Sequence, residues 1–133
     1  MGYSTGVDIG VRLQSPITNL AIAGVANSVV IYQISNWNVA LGGQMVGTKS
    51  VRIKRVKMRN NAAGNQVVII GTGLGAAAFV AILPGLDSMN GLADDFVEND
   101  LPQVEAFADI TAYPVALLAL GTIDIQIEVE EIG

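Results

Sequence analysis

The densest set of side chains that could do chemistry is a run of six bases: Lys49, Arg52, Lys54, Arg55, Lys57 and Arg59. Clustered cations of this kind can hold phosphates. Here they alternate with apolar residues, so some would project from opposite faces of one strand. The chain as a whole has a net charge of −5, which opposes a polyanion. We therefore expect no nucleic-acid partner, and we expect these bases to find their complement in the protein itself.

The segment Thr122–Glu130 supplies such a complement. Its apolar residues alternate with polar ones over nine positions, which is the period of a half-buried strand, and the polar face carries Asp124, Glu128 and Glu130. Opposite charges across neighbouring strands contribute about 0.2–1 kcal/mol per pair. We predict that this face pairs with the basic run, either within one subunit or between neighbouring copies, where charge matching would set register and speed association.

The region Asp87–Gln103 is the longest stretch without a convincing strand pattern. We predict a long acidic surface loop, with a short helix over Met89–Val97 as the alternative. Calcium could bind its carboxylates, but the EF-hand template places Leu86 where the first aspartate ligand is needed, and charge runs are usually solvated. We expect the loop to contact a partner through these residues: Asp87, Asp94, Asp95, Phe96, Glu98 and Asp100.

Trp37 lies between two asparagines in a predicted turn, with Tyr32 nearby. A tryptophan in a loop either covers the edge of the core or, where it is exposed, anchors an interface. The sequence leaves both roles open.

The residue types that are missing limit the chemistry. The chain has no cysteine and no histidine, which excludes disulfides, cysteine-ligated zinc, iron–sulfur clusters and histidine-based triads. The glycine run that begins at Gly71 resembles a dinucleotide-binding turn, but Ala76 stands where the last glycine is needed, which favours a tight β-turn. We therefore expect no enzyme, no cofactor, no metal site and no small-molecule substrate.

Length and composition favour a single all-β domain over residues 1–133. The chain is 51% apolar and 14% charged, against about 25% charged for typical soluble domains. Short apolar or alternating runs between turn residues predict an antiparallel β-sandwich or jelly-roll-like fold with one long acidic loop. The predicted strands are Val7–Leu13, Asn19–Ala23, Ser28–Ser35, Gln44–Gly47, Ser50–Asn60, Gln66–Gly71, Ala76–Leu83, Val104–Ala108, Val115–Leu120 and Thr122–Glu130.

The basic strand has a break in its apolar alternation. The apolar residues change parity between Ile53 and Val56, so the phase slips at Lys54 and Arg55. A slip of one residue would turn the apolar set to the wrong face, which predicts a β-bulge, or a sharp twist that carries the strand from one sheet to another. The turn at residues 60–65 then leads into the next strand, and we predict that the two strands form a long hairpin.

No charge occurs from Leu13 to Thr48 or from Asn60 to Leu86, which raises the question of a membrane span. The best candidate, Val67–Leu83, begins with β-branched residues and is interrupted by glycines, which favours short strands over a spanning helix. The N-terminus lacks the basic region and apolar run of a secretory signal. We expect a protein without a membrane span that is made and assembled in a cytoplasm.

The segments Ser50–Gly73 and Leu101–Pro114, in a charge-poor β chain, resemble small virion proteins of tailed phages and related viruses, of the capsid decoration or cement type. The resemblance implies a β-sandwich or jelly-roll-like subunit that forms a homotrimer and clamps capsomers. It implies as partners further copies of the chain and a major capsid protein, and as location the virion after assembly in the host cytoplasm. A ligand-binding or carbohydrate-binding β-barrel module, with or without calcium, is the alternative.

Overall fold

In the computed structural model the chain forms two antiparallel β-sheets that pack face to face. The structure describes residues 12–21, 25, 28–34, 50–62, 64–88, 93–97, 100–115 and 121–132. Sheet I contains β1 (Arg12–Gln14), β2 (Thr18–Ala21), β4 (Ser50–Asn60), β8 (Ala93–Val97), β9 (Glu105–Ala106) and β11 (Thr122–Ile132). Sheet II contains β3 (Val29–Tyr32), β5 (Gln66–Thr72), β6 (Val80–Ala81), β7 (Leu86–Ser88) and β10 (Ile110–Pro114), and the short helix α1 (Gly75–Ala78) lies between β5 and β6. The predicted all-β sandwich is confirmed.

The strand pairs are nested along the chain. β2 pairs with β11, β3 with β10, β4 with β8 and β9, and β5 with β6 and β7. When this nested hairpin is folded over itself, the strand order becomes β1–β11–β4–β8 in sheet I and β3–β10–β5–β6 in sheet II. This connectivity is that of a jelly roll.

Apolar residues from the inner faces of both sheets form one core cluster. Each strand contributes alternate side chains, and burial of a side chain of this size contributes about 1.5–3 kcal/mol. The core therefore supplies the main favourable term in folding. Its largest fully buried apolar members on the long strands are Val51, Ile53, Val56, Val68, Ile70, Ile110, Ile123, Ile125, Ile127 and Val129.

The predicted bulge lies in β4. Arg55 pairs with Glu128 and Ile53 pairs with Val129, the next residue of β11. Lys54 therefore has no partner position on β11 and is the extra residue of the bulge. The extra residue resets the alternation of side chains, and the apolar residues on both sides of it face the core. The bulge that the phase slip predicts is confirmed.

The predicted hairpin of β4 and β5 is wrong. β4 pairs with β8, β9 and β11 in sheet I, while β5 pairs with β6, β7 and β10 in sheet II. In the turn between them, the Asn60 side chain donates to the carbonyl of Gly64 at 2.9 Å and accepts from the amide of Ala62 at 2.7 Å. Two successive strands can pair edge to edge or pack face to face, and here the chain crosses the core.

Two further predictions are corrected by the structure. The predicted strand Ala76–Leu83 is divided into α1 and the two-residue β6, because Gly75 adopts a φ of 77° and turns the chain into a helical turn. The acidic region Asp87–Gln103 is neither one continuous loop nor a helix over Met89–Val97, since β8 lies within it and pairs with β4. The bases of β4 offset the charge of this acidic strand.

The remaining predicted strands are displaced or lie outside the described residues. The final strand of sheet II is β10, and Val115 lies just beyond it, with residues 116–120 outside the described part of the chain. Gln44–Gly47 and most of Val7–Leu13 also lie outside it. Within the described ranges, no helix is long and apolar enough to cross a membrane.

Candidate functional site

The five bases of β4 in sheet I lie beside five acids of the neighbouring strands. These acids lie on β8, β9 and β11, which flank β4. Cross-strand register opposes Arg59 to Asp124, Arg55 to Glu128, Arg52 to Glu130 and Glu105, and Lys57 to Asp95. The basic run and the acidic strand, which the sequence matches by charge, are thus neighbours within one chain.

Two of the bases form ion pairs near the surface. Arg55 donates from Nε to Asp95 Oδ1 at 2.8 Å and from Nη2 to Asp95 Oδ2 at 2.5 Å, and Arg52 Nη2 lies 3.2 Å from Glu105 Oε1. The hydrogen bonds from Arg55 hold the pKa of Asp95 below its ordinary value and raise the pKa of Arg55. Because exposed pairs contribute little to stability, their role is to favour one register of β8 and β9 on β4.

Lys54 and Glu130 form a buried pair at the bulge. Their Nζ and Oε1 atoms are 3.2 Å apart, and the two side chains are only 8% and 9% exposed. Lys54 Nζ also donates to Gln103 Oε1 at 2.7 Å, and Gln103 Nε2 donates to the carbonyl of Leu101 at 3.1 Å. The chain before β9 therefore takes part in the same network, and loss of either partner would leave a buried charge.

The other two bases are in a different situation. Among the side chains that the structure describes, Lys57 and Arg59 have no ion-pair partner within 4.0 Å. Asp124, opposite Arg59, instead accepts hydrogen bonds from the Nδ2 atoms of Asn19 and Asn61 at 2.8 and 3.0 Å. Both bases still lie beside acids, since Lys57 helps to lower the pKa of Asp95 and Arg59 faces Asp124 across the strands.

An open groove of about 450 Å³ runs across this end of sheet I. It is the place where the bases without ion pairs meet an exposed apolar side chain. The groove is lined by Ile17, Lys57, Met58, Arg59, Asp95, Asp124, Ile125 and Gln126.

The charges of sheet I account for the unusual distribution of charge along the sequence. Its strands contain six bases and seven acids and so carry a charge of −1, and the rest of the chain, with one base and five acids, carries −4. The charge match is therefore made inside one subunit, and most of the excess acid lies elsewhere.

Sheet II carries almost no charge. Asp87 is the one charged residue in its described strands, and residues 73–85, which follow β5, are uncharged. Leu74, at the start of α1, is 54% exposed, and the three alanines of α1 are exposed as well. Val29 and Val80 are 40% and 61% exposed, but they stand opposite Ala112 and Thr72 in the register, in phase with the core positions, so their exposure is at the open ends of the sheet. We call the outer surface formed by β3, α1 and β6 the neutral face.

The segment after β5 lies against the outer side of sheet II. The buried hydroxyl of Thr111 donates to the carbonyl of Gly73 at 2.8 Å, and the ring of Phe79 packs edge-on against Tyr113 with centroids 4.9 Å apart. Gly73 has a φ of 85°, and a Cβ there would collide with the backbone of α1. This segment thus presents its apolar residues outward in a fixed conformation.

The predicted contact loop is distributed over several elements. Phe96 lies on β8 and packs against the core, and Asp95 pairs with Arg55, so neither projects from a loop. Asp87 and Asp100 are exposed. Three of the predicted site residues, Trp37, Lys49 and Glu98, lie outside the described residues, as does the side chain of Asp94.

Three residues of this arrangement were not identified by sequence reasoning. Glu105 and Gln103 complete the pairing of the basic strand, and Ile17, which is 67% exposed, lines the groove. Only Glu105 carried a signal, because it is an acid within a predicted strand. The positions of the other two depend on tertiary packing.

The chain matches no protein-family model, and no curated protein is significantly similar to it in sequence. Within the described ranges, no three carboxylates converge into a group that could hold a metal ion. Function must therefore be argued from the two outer faces of the sandwich.

Proposed function

We propose that this chain is a structural virion protein of the capsid decoration type, which assembles with copies of itself and docks on a major capsid protein. The observation that carries the proposal is the neutral face. Charged residues are depleted at the centres of protein interfaces, whereas a solvated surface normally carries them. A sandwich that places its charges on one sheet and leaves the other sheet with Asp87 alone has a surface suited to contact with protein.

The internal charge match supports the same proposal. If the bases of β4 awaited acids from another copy, an isolated subunit would have a strongly positive sheet. Instead, acids of the same chain lie on each side of them, as the Arg55–Asp95 pair toward β8 and the Lys54–Glu130 pair toward β11 show. The subunit can fold before it assembles, and the neutral face remains for docking.

The connectivity is consistent with this role. Jelly rolls are found in viral capsid proteins, and also in lectins and cupins, so the topology by itself does not choose among these classes. The residues of the neutral face favour a protein partner over a sugar. Its exposed side chains, Leu74 and the alanines of α1, cannot form hydrogen bonds to hydroxyl groups.

The proposed mechanism is passive. A decoration subunit binds the assembled form of its partner and not the dissociated form, so it stabilises the assembly by mass action. Repetition of a weak contact by symmetry adds avidity, because one bound copy raises the effective concentration of the next. A homotrimer is the state that we favour.

Two measurements test the proposal. Sedimentation equilibrium of the purified protein should give three times the 13.8 kDa mass of one chain. Mass spectrometry of virions purified from the source culture should detect the chain in many copies per particle. A monomer at all concentrations, together with absence from virions, would contradict the proposal.

A further inference from the structure

The bulge of β4 places a primary amine beside a primary amide. Lys54 Nζ lies 2.7 Å from Oε1 of Gln103 and 3.2 Å from Oε1 of Glu130. Because a carbonyl bond is about 1.23 Å long, the amide carbon of Gln103, Cδ, is at most about 3.9 Å from Nζ. Reacting atoms poised for attack are about 3–3.5 Å apart. A small rotation of the Gln103 side chain would therefore bring its amide carbon within reach of the amine.

The fold holds the amine, a carboxylate and the amide together. The side chains of Lys54 and Glu130 are buried, so bulk water is largely excluded from the amine. Gln103 Nε2 donates to the carbonyl of Leu101, which turns the amide with its oxygen toward Lys54. Because Gln103 is itself exposed, a small molecule released from its amide has a path to solvent. A nucleophile, a proton carrier and an electrophile thus meet at one point.

We propose that Lys54 and Gln103 form an isopeptide bond, with Glu130 as the proton carrier. Nζ first gives one proton to Glu130, which turns the ion pair into a neutral amine and a carboxylic acid. The electron pair of Nζ then forms a bond to Cδ of Gln103, and the bond from Cδ to Nε2 breaks. Glu130 gives its proton to Nε2 and takes a second proton from Nζ, so ammonia leaves and the carboxylic acid is regenerated.

The reaction replaces two buried charges with a neutral amide and a neutral acid. Charges taken out of water are costly even when they are paired, which favours the product. The step is slow, because an unactivated amide is a weak electrophile and because the amine must lose a proton against the attraction of the ion pair. The freshly folded chain therefore has the ion pair that the structure shows, and the cross-link accumulates as the protein ages.

The bond would join the bulge in sheet I to the segment that precedes β9. The chain between the two residues contains β5, α1, β6, β7 and β8, so the bond closes a loop of about fifty residues. Closing a long loop restricts the unfolded chain, as a disulfide does. We expect the melting temperature of the cross-linked form to rise by at least about 5 °C. The reaction takes place within one subunit and does not depend on the proposed function.

Mass spectrometry tests the bond directly. After about one week at about 37 °C, we expect at least about a tenth of the purified wild-type chains to have lost about 17 Da, the mass of ammonia. Cyclisation of an asparagine to a succinimide gives the same change of mass. The deciding observation is therefore a branched peptide, found after proteolysis, in which Lys54 is joined to Gln103.

Three variants identify the reacting groups. Gln103→Met removes the amide at an exposed position, and Lys54→Arg keeps a positive charge beside Glu130 without a reactive amine, so neither should form the branched peptide. Glu130→Gln cannot carry the proton and should form the bond at least about a hundredfold more slowly. The matched control is Gln33→Met, which removes an exposed amide elsewhere and should react like the wild type.

The outcomes are decisive even if a variant at the buried pair folds poorly, because the wild type, Gln103→Met and Gln33→Met leave that pair intact. Absence of the branched peptide from the aged wild type would overturn the proposal. Equal yields of the bond in wild type and in folded Glu130→Gln would show that Glu130 does not carry the proton, and would overturn the proposed mechanism.

Discussion

The two sheets share one core, but their outer faces are made from different residues. On sheet I, the bases of β4 lie between acids of the flanking strands, and the Lys54–Glu130 pair is buried at the bulge. On sheet II, the described strands carry Asp87 as their one charged residue, and Val80 and Leu74 are more than half exposed. The charges of sheet I are largely matched within the subunit, whereas sheet II exposes apolar side chains.

This difference indicates where to look for partners. A strongly basic strand suggests an acidic partner such as another copy of the chain. The acids that lie beside β4, however, come largely from the same chain. Lys57 and Arg59, which form no close ion pair among the described side chains, still face Asp95 and Asp124 across the strands. Contacts with other protein should therefore depend on the neutral face, and folding should depend on the matched charges and the core.

The largest expected effect comes from breaking the buried pair. Lys54→Met leaves Glu130 buried without its base, and we expect a loss of about 3–5 kcal/mol in the free energy of unfolding. Urea denaturation followed by circular dichroism measures it. The double variant Lys54→Met/Glu130→Leu removes both charges and should recover most of the loss. A double variant as unstable as the single one would show that the pair itself, and not the stranded charge, stabilises sheet I.

A smaller effect is expected from the corresponding buried polar contact on sheet II. Thr111→Val removes the hydroxyl that donates to the Gly73 carbonyl, and we expect a loss of about 1–3 kcal/mol by the same measurement. Thr122→Val, at a half-exposed position of β11, is the control and should change little. Equal effects of the two substitutions would show that the segment after β5 is not held by this hydrogen bond.

The smallest effect concerns the exposed pair of Arg55 and Asp95. Because Arg55 lowers the pKa of Asp95 in the folded state, the pair stabilises the fold above the ordinary aspartate pKa near 3.9, and the contribution disappears as the pH falls through the lowered value. The melting temperature of Arg55→Gln should lie slightly below that of the wild type near neutral pH and approach it in acid. Arg59→Gln, at an exposed position of β4, serves as the control without an ion pair among the described side chains. A difference between wild type and Arg55→Gln that is the same at every pH would contradict this assignment.

The strand pattern and the bulge could be predicted from sequence because they depend on neighbouring residues. Strict alternation identified β11, and the change of parity between Ile53 and Val56 predicted a bulge at Lys54 and Arg55, where the extra residue is Lys54. The nested pairing could not be predicted. An apolar strand that follows a turn has the same alternation whether it pairs with the preceding strand or packs against it across the core. β4 and β5 pack against each other across the core.

The candidate surfaces were predictable to a lesser extent. The charges of β4 and β11 indicated a match, but β8 lies in a region without a convincing strand pattern, and two successive aspartates are unfavourable in a strand without compensating bases. Those bases are far away in sequence, on β4. The groove was not visible in the sequence, because Ile17 and Arg59 come together only in the folded sheet.

The central claim is that the neutral face of sheet II, and not the matched face of sheet I, carries docking to other protein. It is tested most directly by the double variant Leu74→Lys/Ala77→Lys, which places two charges on exposed positions of that face, with Val104→Lys beside β9 as the control. Binding of each variant to shells stripped of the native protein is measured by co-sedimentation. We expect the double variant to lose binding while its melting temperature is unchanged, and the control to bind like the wild type. Full binding by the double variant, or equal loss in the control, would contradict the claim.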